Sequence, residues 1–165
     1  MTETPVSGSY ISTEEEARAY FTNDPRATAF LALSSLAWYL QRATKAIDAL
    51  PLRGRKYLRD GTQALQFPRE YREGYDMNEA TGAAEVPQAV LDACCEEALA
   101  IYKHHQDPMA LEVEKMQNRG ATAASIGGEG SETWQADART LRGGLKSEDA
   151  YRVLSNHVSR SFPIV

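Results

Sequence analysis

Residues 24–50 read DPRATAFLALSSLAWYLQRATKAIDAL, and the reading of this stretch decides the fold. Asp24 can cap free backbone N–H groups, and Pro25 fits the first helical position, where its missing donor costs nothing. Phe30, Leu33, Ala37, Leu40, Thr44 and Ile47 recur at spacings of three and four. That pattern predicts one continuous helix of about seven turns. Leu31, Leu36 and Trp38 widen the stripe, while Gln41, Arg42 and Lys45 sit towards water. Leu50-Pro51 ends it, because a residue before proline is pushed out of the helical region.

Towards the N-terminus, Ser12-Thr13-Glu14-Glu15-Glu16 offers two overlapping capping boxes, Ser12 with Glu15 and Thr13 with Glu16. Ala17, Tyr20 and Phe21 follow at helical spacing, so a short first helix is expected after a flexible arm at residues 1–8. Towards the C-terminus, residues 51–85 hold no sustained period and carry Gly54, Gly61, Pro68, Gly74 and Gly82. A crossing that long is usually functional. Val86-Pro87 restarts a helix with Val90, Cys94, Ala98, Ile101 and His105 on one face, and Asp107-Pro108 should start or kink another segment through about Met116. Residues 119–134 are glycine-rich and read as a flexible loop or an exposed hairpin ending at Trp134. Ser147 caps a modest helix reaching Arg160, and residues 161–165 form an apolar tail. The expected fold is mainly α: a compact helical bundle in a single domain over residues 1–165, with a long crossing, a Gly-rich loop or hairpin, and a C-terminal helix plus extended tail.

The chain has 165 residues, enough to bury a core without disulfides or metal. No apolar run approaches the length needed to cross a bilayer, and the opening MTETPVSGSY has neither a basic region nor an apolar core, so no signal peptide and no membrane partner are expected. Cys94 and Cys95 are adjacent and read as free thiols in a reducing compartment. Eighteen basic residues against 23 acidic give a net charge of −5. An autonomous nucleic-acid binder usually carries a basic footprint instead.

The catalytic and metal patterns are weak. His104 and His105 point about 100° apart on a helix and cannot share a metal, and a core thiol with a helix-end histidine is the better reading of Cys94 and His105 than zinc. Glu96-Glu97 and Glu112 with Glu114 read as solvated helix faces. Gly127-Gly128-Glu129-Gly130 lacks the Lys-Ser/Thr pair of a phosphate loop. No catalytic residue, metal ligand or cofactor is assigned, and the chain is expected not to be an enzyme. The sharpest charge feature is Arg53, Arg55, Lys56 and Arg59 around Tyr57. These cations could meet DNA phosphates, or pair with an acidic surface of the same or a neighbouring subunit; in an acidic chain the pairing is favoured.

Five segments resemble one family. They are Ser9-Tyr10-Ile11-Ser12 with Glu16-Ala17 and Ala19-Tyr20-Phe21; Arg42 to Asp48 with Leu50-Pro51; Gly54-Arg55-Lys56-Tyr57; Gln63-Ala64-Leu65-Gln66-Phe67-Pro68-Arg69; and Val86-Pro87 with Val90, Ala93 and Glu97-Ala98. Together they resemble the small head-to-tail connector, or adaptor, proteins of long-tailed phages, some of which carry the name DnaT-like single-strand-DNA-binding protein. The resemblance spans about residues 9 to 105. It implies a structural virion protein in the phage neck, made in the host cytoplasm, that forms a ring beneath the portal protein. The ring would extend the DNA channel, let DNA pass without specific binding, and dock a tail-side connector or terminator protein. Ile126 and Trp134 of the loop and Phe162, Pro163, Ile164 and Val165 of the tail are the expected partner contacts, although the tail reads equally as a frayed end. Arg53, Arg55, Lys56 and Arg59 are the expected DNA or subunit contacts. The alternative is a single-stranded-DNA-binding replication accessory; a third reading, a small enzyme around Cys94, has less behind it.

Overall fold

The computed structural model describes residues 6–109, 111, 123–126, 130–133 and 144–159. Its first helix, α1 (Glu14–Tyr20), begins at the second of the two capping boxes: Thr13 Oγ1 accepts the Glu16 N–H at 3.3 Å, and Glu16 Oε2 accepts the Thr13 N–H at 3.3 Å. After it, the stretch 24–50 is not one helix. Asp24 caps as expected, its Oδ1 accepting the Arg26 N–H at 2.8 Å. But a 3-10 turn (Pro25–Ala27) and the single turn α2 (Thr28–Leu31) stop before Ser34-Ser35, and α3 (Ala37–Asp48) starts afresh.

The break has two physical causes. Serines compete with helical hydrogen bonding through their own side chains, and α1 supplies caps for both loose ends. The Arg18 guanidinium donates to the Leu31 carbonyl and, at 3.0 Å, to the Leu33 carbonyl. Glu14 Oε1 accepts the Ala37 N–H at 3.2 Å and the Ser35 hydroxyl at 2.5 Å. A cation thus faces a helix C-terminus and an anion a helix N-terminus, each matching the local dipole. Burial pushes the Glu14 carboxyl up, but the hydrogen bonds from Ser35 and the Leu36 and Ala37 amides prevail and hold it below its ordinary value. The bend also lets Phe30 and Leu36, which would stand about 120° apart on a straight helix, both be fully buried.

Helix α4 (Gln88–Gln106) runs through the middle, with α3 and α5 (Glu148–Leu154) packed on it. Seven consecutive residues, Ala93 to Leu99, are buried, as befits a helix covered all round. Glu96 and Glu97 are therefore not a solvated face. Glu97 is 1 % exposed, and its carboxylate accepts the Lys146 N–H at 2.9 Å and the Ser147 N–H at 2.8 Å. Burial raises its pKa against the opposing pull of those two amides. Ser147 Oγ accepts the Ala150 N–H at 3.0 Å to start α5, which ends at Leu154 and not at Arg160. The chain then pairs back along the start of the crossing, with Arg53 N–H donating to the His157 carbonyl at 2.8 Å and Ser159 N–H to that of Pro51 at 2.7 Å. At Asp107, the side chain accepts the Met109 N–H at 2.9 Å and the carbonyl accepts the Leu111 N–H at 3.2 Å; the rest of the segment expected to reach Met116 lies outside the described residues.

The long crossing holds what the periodicity did not show. Strands β1 (Arg55–Lys56), β2 (Arg69–Tyr71) and β3 (Gly74–Tyr75) form an antiparallel sheet in the order β1-β2-β3. Within residues 119–134, β4 (Ala123–Ile126) pairs antiparallel with β5 (Gly130–Thr133). The fold is accordingly mixed α/β, five α-helices with a small three-stranded sheet among the described residues, and not the mainly α helical bundle expected. Strands of two or three residues are too short to leave an alternating pattern in a sequence. Entry to the sheet depends on Gly54: it has φ +72°, and a Cβ there would lie 2.3 Å from the Glu70 carbonyl oxygen. The second half of the crossing is tied to α3 by Tyr10, whose hydroxyl donates to Asp48 Oδ1 and accepts the Gln66 and Phe67 N–H groups at 3.2 and 3.3 Å. Burial, and then the Asp48 carboxylate, push the Tyr10 pKa up.

Candidate nucleic-acid interface

The pairing register sets which side chains share a face. Arg55 lies opposite Glu70, and Glu70 opposite Tyr75, so these three form one row across the outer face. Lys56, Arg69 and Tyr71 fall on the inner face. Arg55 Nε donates to Glu70 Oε2 at 3.2 Å, and Arg59, arriving from the loop after β1, donates to both Glu70 oxygens at 2.6 and 2.9 Å. Hydrogen bonds from Arg59 first, and Arg55 second, hold the Glu70 carboxyl below its ordinary value. The loop keeps its shape through Gln63, whose Oε1 accepts the Leu58 N–H at 3.0 Å while its amide donates to the Leu65 and Pro68 carbonyls.

Beside the row, the Tyr57 ring lies on that of Tyr75 with centroids 4.9 Å apart and planes tilted by 41°. These two rings, Leu58, Arg59, Glu70 and the hairpin residue Arg72 help line an open groove of about 640 Å³. Between Arg53 and Tyr75 there are six cations and three carboxylates, a local excess inside an acidic chain. Flat rings flanked by guanidinium groups offer stacking surface for bases and charge for phosphates.

The inner face uses the same residue types to opposite effect. Arg69, 5 % exposed, donates to the Arg53 and Gly54 carbonyls at 2.6 and 2.7 Å and to Gln66 Oε1 at 2.9 Å. Its backbone N–H donates to Asp76 Oδ2 at 2.8 Å. The Tyr71 hydroxyl donates to Asp76 Oδ1 at 3.0 Å and lies 3.2 Å from His157 Nδ1. Burial pulls the His157 pKa below its ordinary value, with the Asp76 carboxylate opposing.

Of the cations singled out in the sequence, Arg55 and Arg59 meet on the outer face. Lys56 instead donates to the Gln63 and Ala64 carbonyls at 3.0 and 3.2 Å, and Arg53 to the Asn156 carbonyl at 3.2 Å. Ile126 is a β4 residue opposite Gly130; Trp134 and Phe162 to Val165 lie outside the described residues. Sequence reasoning missed Glu70, Arg72 and Tyr75. The signal was Tyr71-Arg72-Glu73-Gly74-Tyr75, tyrosines on either side of a two-residue turn closed by a glycine. Cys94 is buried with its thiol 3.4 Å from Thr44 Oγ1, and its pKa is raised by burial, which describes core packing and not a nucleophile. Among the described residues no cluster of His, Cys, Asp and Glu could hold a metal, and no helix is long and apolar enough to cross a membrane.

The model of the family described as "Putative DnaT-like ssDNA binding protein" matches residues 2–156. No curated protein and no solved structure matches the chain. The family match overturns the expected head-to-tail connector, and with it the virion neck assembly, the portal and tail-side partners and a channel through which DNA passes unbound. It supports the alternative, binding of single-stranded DNA. The connector expectation rested on five short segments, Gln63 to Arg69 and the helix start at Val86-Pro87 above all, and the acidic charge of the whole chain was weighed against the cations at Arg53 to Arg59.

Proposed function

We infer the function from one premise: the chain belongs to the family of DnaT-like ssDNA binding proteins. It binds single-stranded DNA on the outer face of the three-stranded sheet, as a binding protein and not as an enzyme. Bases stack against Tyr57 and Tyr75, and phosphates meet Arg55, Arg59 and Arg72. The observation that carries this is the tilted tyrosine pair in an open groove edged by arginines. A stacked base is recognised through its flat face, which all four bases share, so little sequence preference is expected. Glu70 presently pairs with both Arg55 and Arg59. A phosphate arriving there takes over hydrogen bonds already formed, which favours a modest affinity.

Fluorescence anisotropy of a labelled oligothymidylate tests this. With two or three phosphates neutralised, affinity should fall about thirty- to a hundredfold for a tenfold rise in salt. Removing both rings (Y57A with Y75A) should weaken binding by at least about tenfold. Absence of any binding at low salt, or full binding by the double variant, would sink the assignment.

A further inference from the structure

We propose a second single-stranded-DNA contact, a stacking ledge along α3 made by Trp38, Arg42 and Lys45; it rests on the single-stranded-DNA reading and extends it to another surface. These three side chains are the exposed ones on successive turns of α3. Trp38 is 48 % exposed, far more than the core aromatics around it. The Arg42 guanidinium lies 5.6 Å from its ring centroid, and the His105 ring, from the end of α4, lies 5.1 Å away.

The charge pattern distinguishes this ledge from the sheet. Among the described residues neither Arg42 nor Lys45 makes an ion pair. The helix has no carboxylate before Asp48, and Asp48 is engaged by Tyr10. The last turn of α4 also carries Lys103 and brings the His105 ring against Trp38. An exposed indole with Arg42 and Lys45, which make no ion pair among the described residues, spread over about 10 Å of helix, is complementary to a ligand that carries both flat apolar faces and regular negative charge. A nucleic-acid strand has both. An acidic protein segment has the charge without the stacking faces. On this ledge a base packs against the exposed part of Trp38 and the neighbouring phosphates meet Arg42 and Lys45.

The chain has two tryptophans, so in W134F the indole emission reports Trp38 alone. That protein is titrated with oligothymidylate while anisotropy follows binding independently. Emission should be quenched as the oligonucleotide binds. W38L in the same background should weaken binding about tenfold, and R42Q with K45Q, which changes only exposed charges, about fivefold with a shallower salt dependence. Normal oligonucleotide binding with unchanged emission and unchanged affinity in both variants would overturn the ledge and leave the sheet site standing. No oligonucleotide binding at all would overturn both. Poly-glutamate quenching Trp38 as strongly as oligothymidylate would overturn the ledge as a nucleic-acid surface and assign it to an acidic protein partner.

Discussion

The two faces of the small sheet carry nearly the same chemistry, an arginine, a carboxylate and a tyrosine each, and do different work. Outside, Glu70 and Tyr75 line an open groove, and Arg55 stands opposite Glu70 in the same row. Inside, Arg69 and Asp76 are buried, and Tyr71, which also lines that groove, joins Asp76 to His157 in the segment after α5. The difference is access to water. A buried guanidinium that loses its partners leaves several polar groups unsatisfied at once, whereas an exposed ion pair exchanges its partners for water at little cost. Residue type alone therefore says nothing about which face binds.

The contrast breaks most visibly at the arginines. R69A should destabilise the fold by about 3 kcal/mol, because the Arg53, Gly54 and Gln66 oxygens lose a buried donor, while Asp76 keeps the backbone N–H of residue 69. The thermal midpoint should drop by about 6–12 °C. R55A should leave the midpoint where it is and weaken oligonucleotide binding instead. Equal melting temperatures for the two variants would erase the distinction between the faces.

A smaller effect is expected at His157, which belongs to the inner face. Burial holds its folded-state pKa below the unfolded value of 6.5. Above that pH it is neutral in both states and its contribution is intact. As pH falls below it, the unfolded chain takes up the proton first, so stability declines until the native imidazole is protonated too. The loss stays below the ceiling of about 1.4 kcal/mol per pH unit for one proton. Denaturant titrations across this range should show a shallower decline for H157Q than for the parent, and identical slopes would exclude His157 as the source.

Smallest of all is the effect of Glu70. E70Q frees Arg55 and Arg59 from an internal anion, so affinity for oligothymidylate should rise about threefold with no loss of stability. Anisotropy decides it, and a fall in affinity would mean that Glu70 orders the arginines for binding and does not compete with the phosphates.

Features settled by neighbours in the chain were legible from the sequence. The Thr13 box, the Asp24 cap, the helix start after Pro87 and the Ser147 cap are each a matter of three or four residues. What escaped depends on partners far along the chain. Glu97 looks like a surface residue until the Lys146 and Ser147 amides, about fifty residues later, are brought to it. The sheet escaped because its strands are shorter than the run of residues over which alternation can be read. The basic cluster was visible, but its division between the groove and the interior was not, since Glu70 and Gln63 make that division through the fold. Tyr75 acquires meaning only when β3 returns it to Tyr57.

The bend at residues 32–36 has a consequence for how the segment behaves alone. Its caps, Glu14 and Arg18, sit one turn apart on α1 and are joined to each other at 3.6 Å. A peptide of residues 24–50 lacks both, and its apolar spacing is that of an uninterrupted helix. In a helix-promoting solvent such a fragment should run straight through Ser34 and Ser35, with amide connectivities unbroken from Thr28 to Asp48. The same peptide with residues 12–23 restored should regain the interruption. The angle between α2 and α3 is thus written upstream of both.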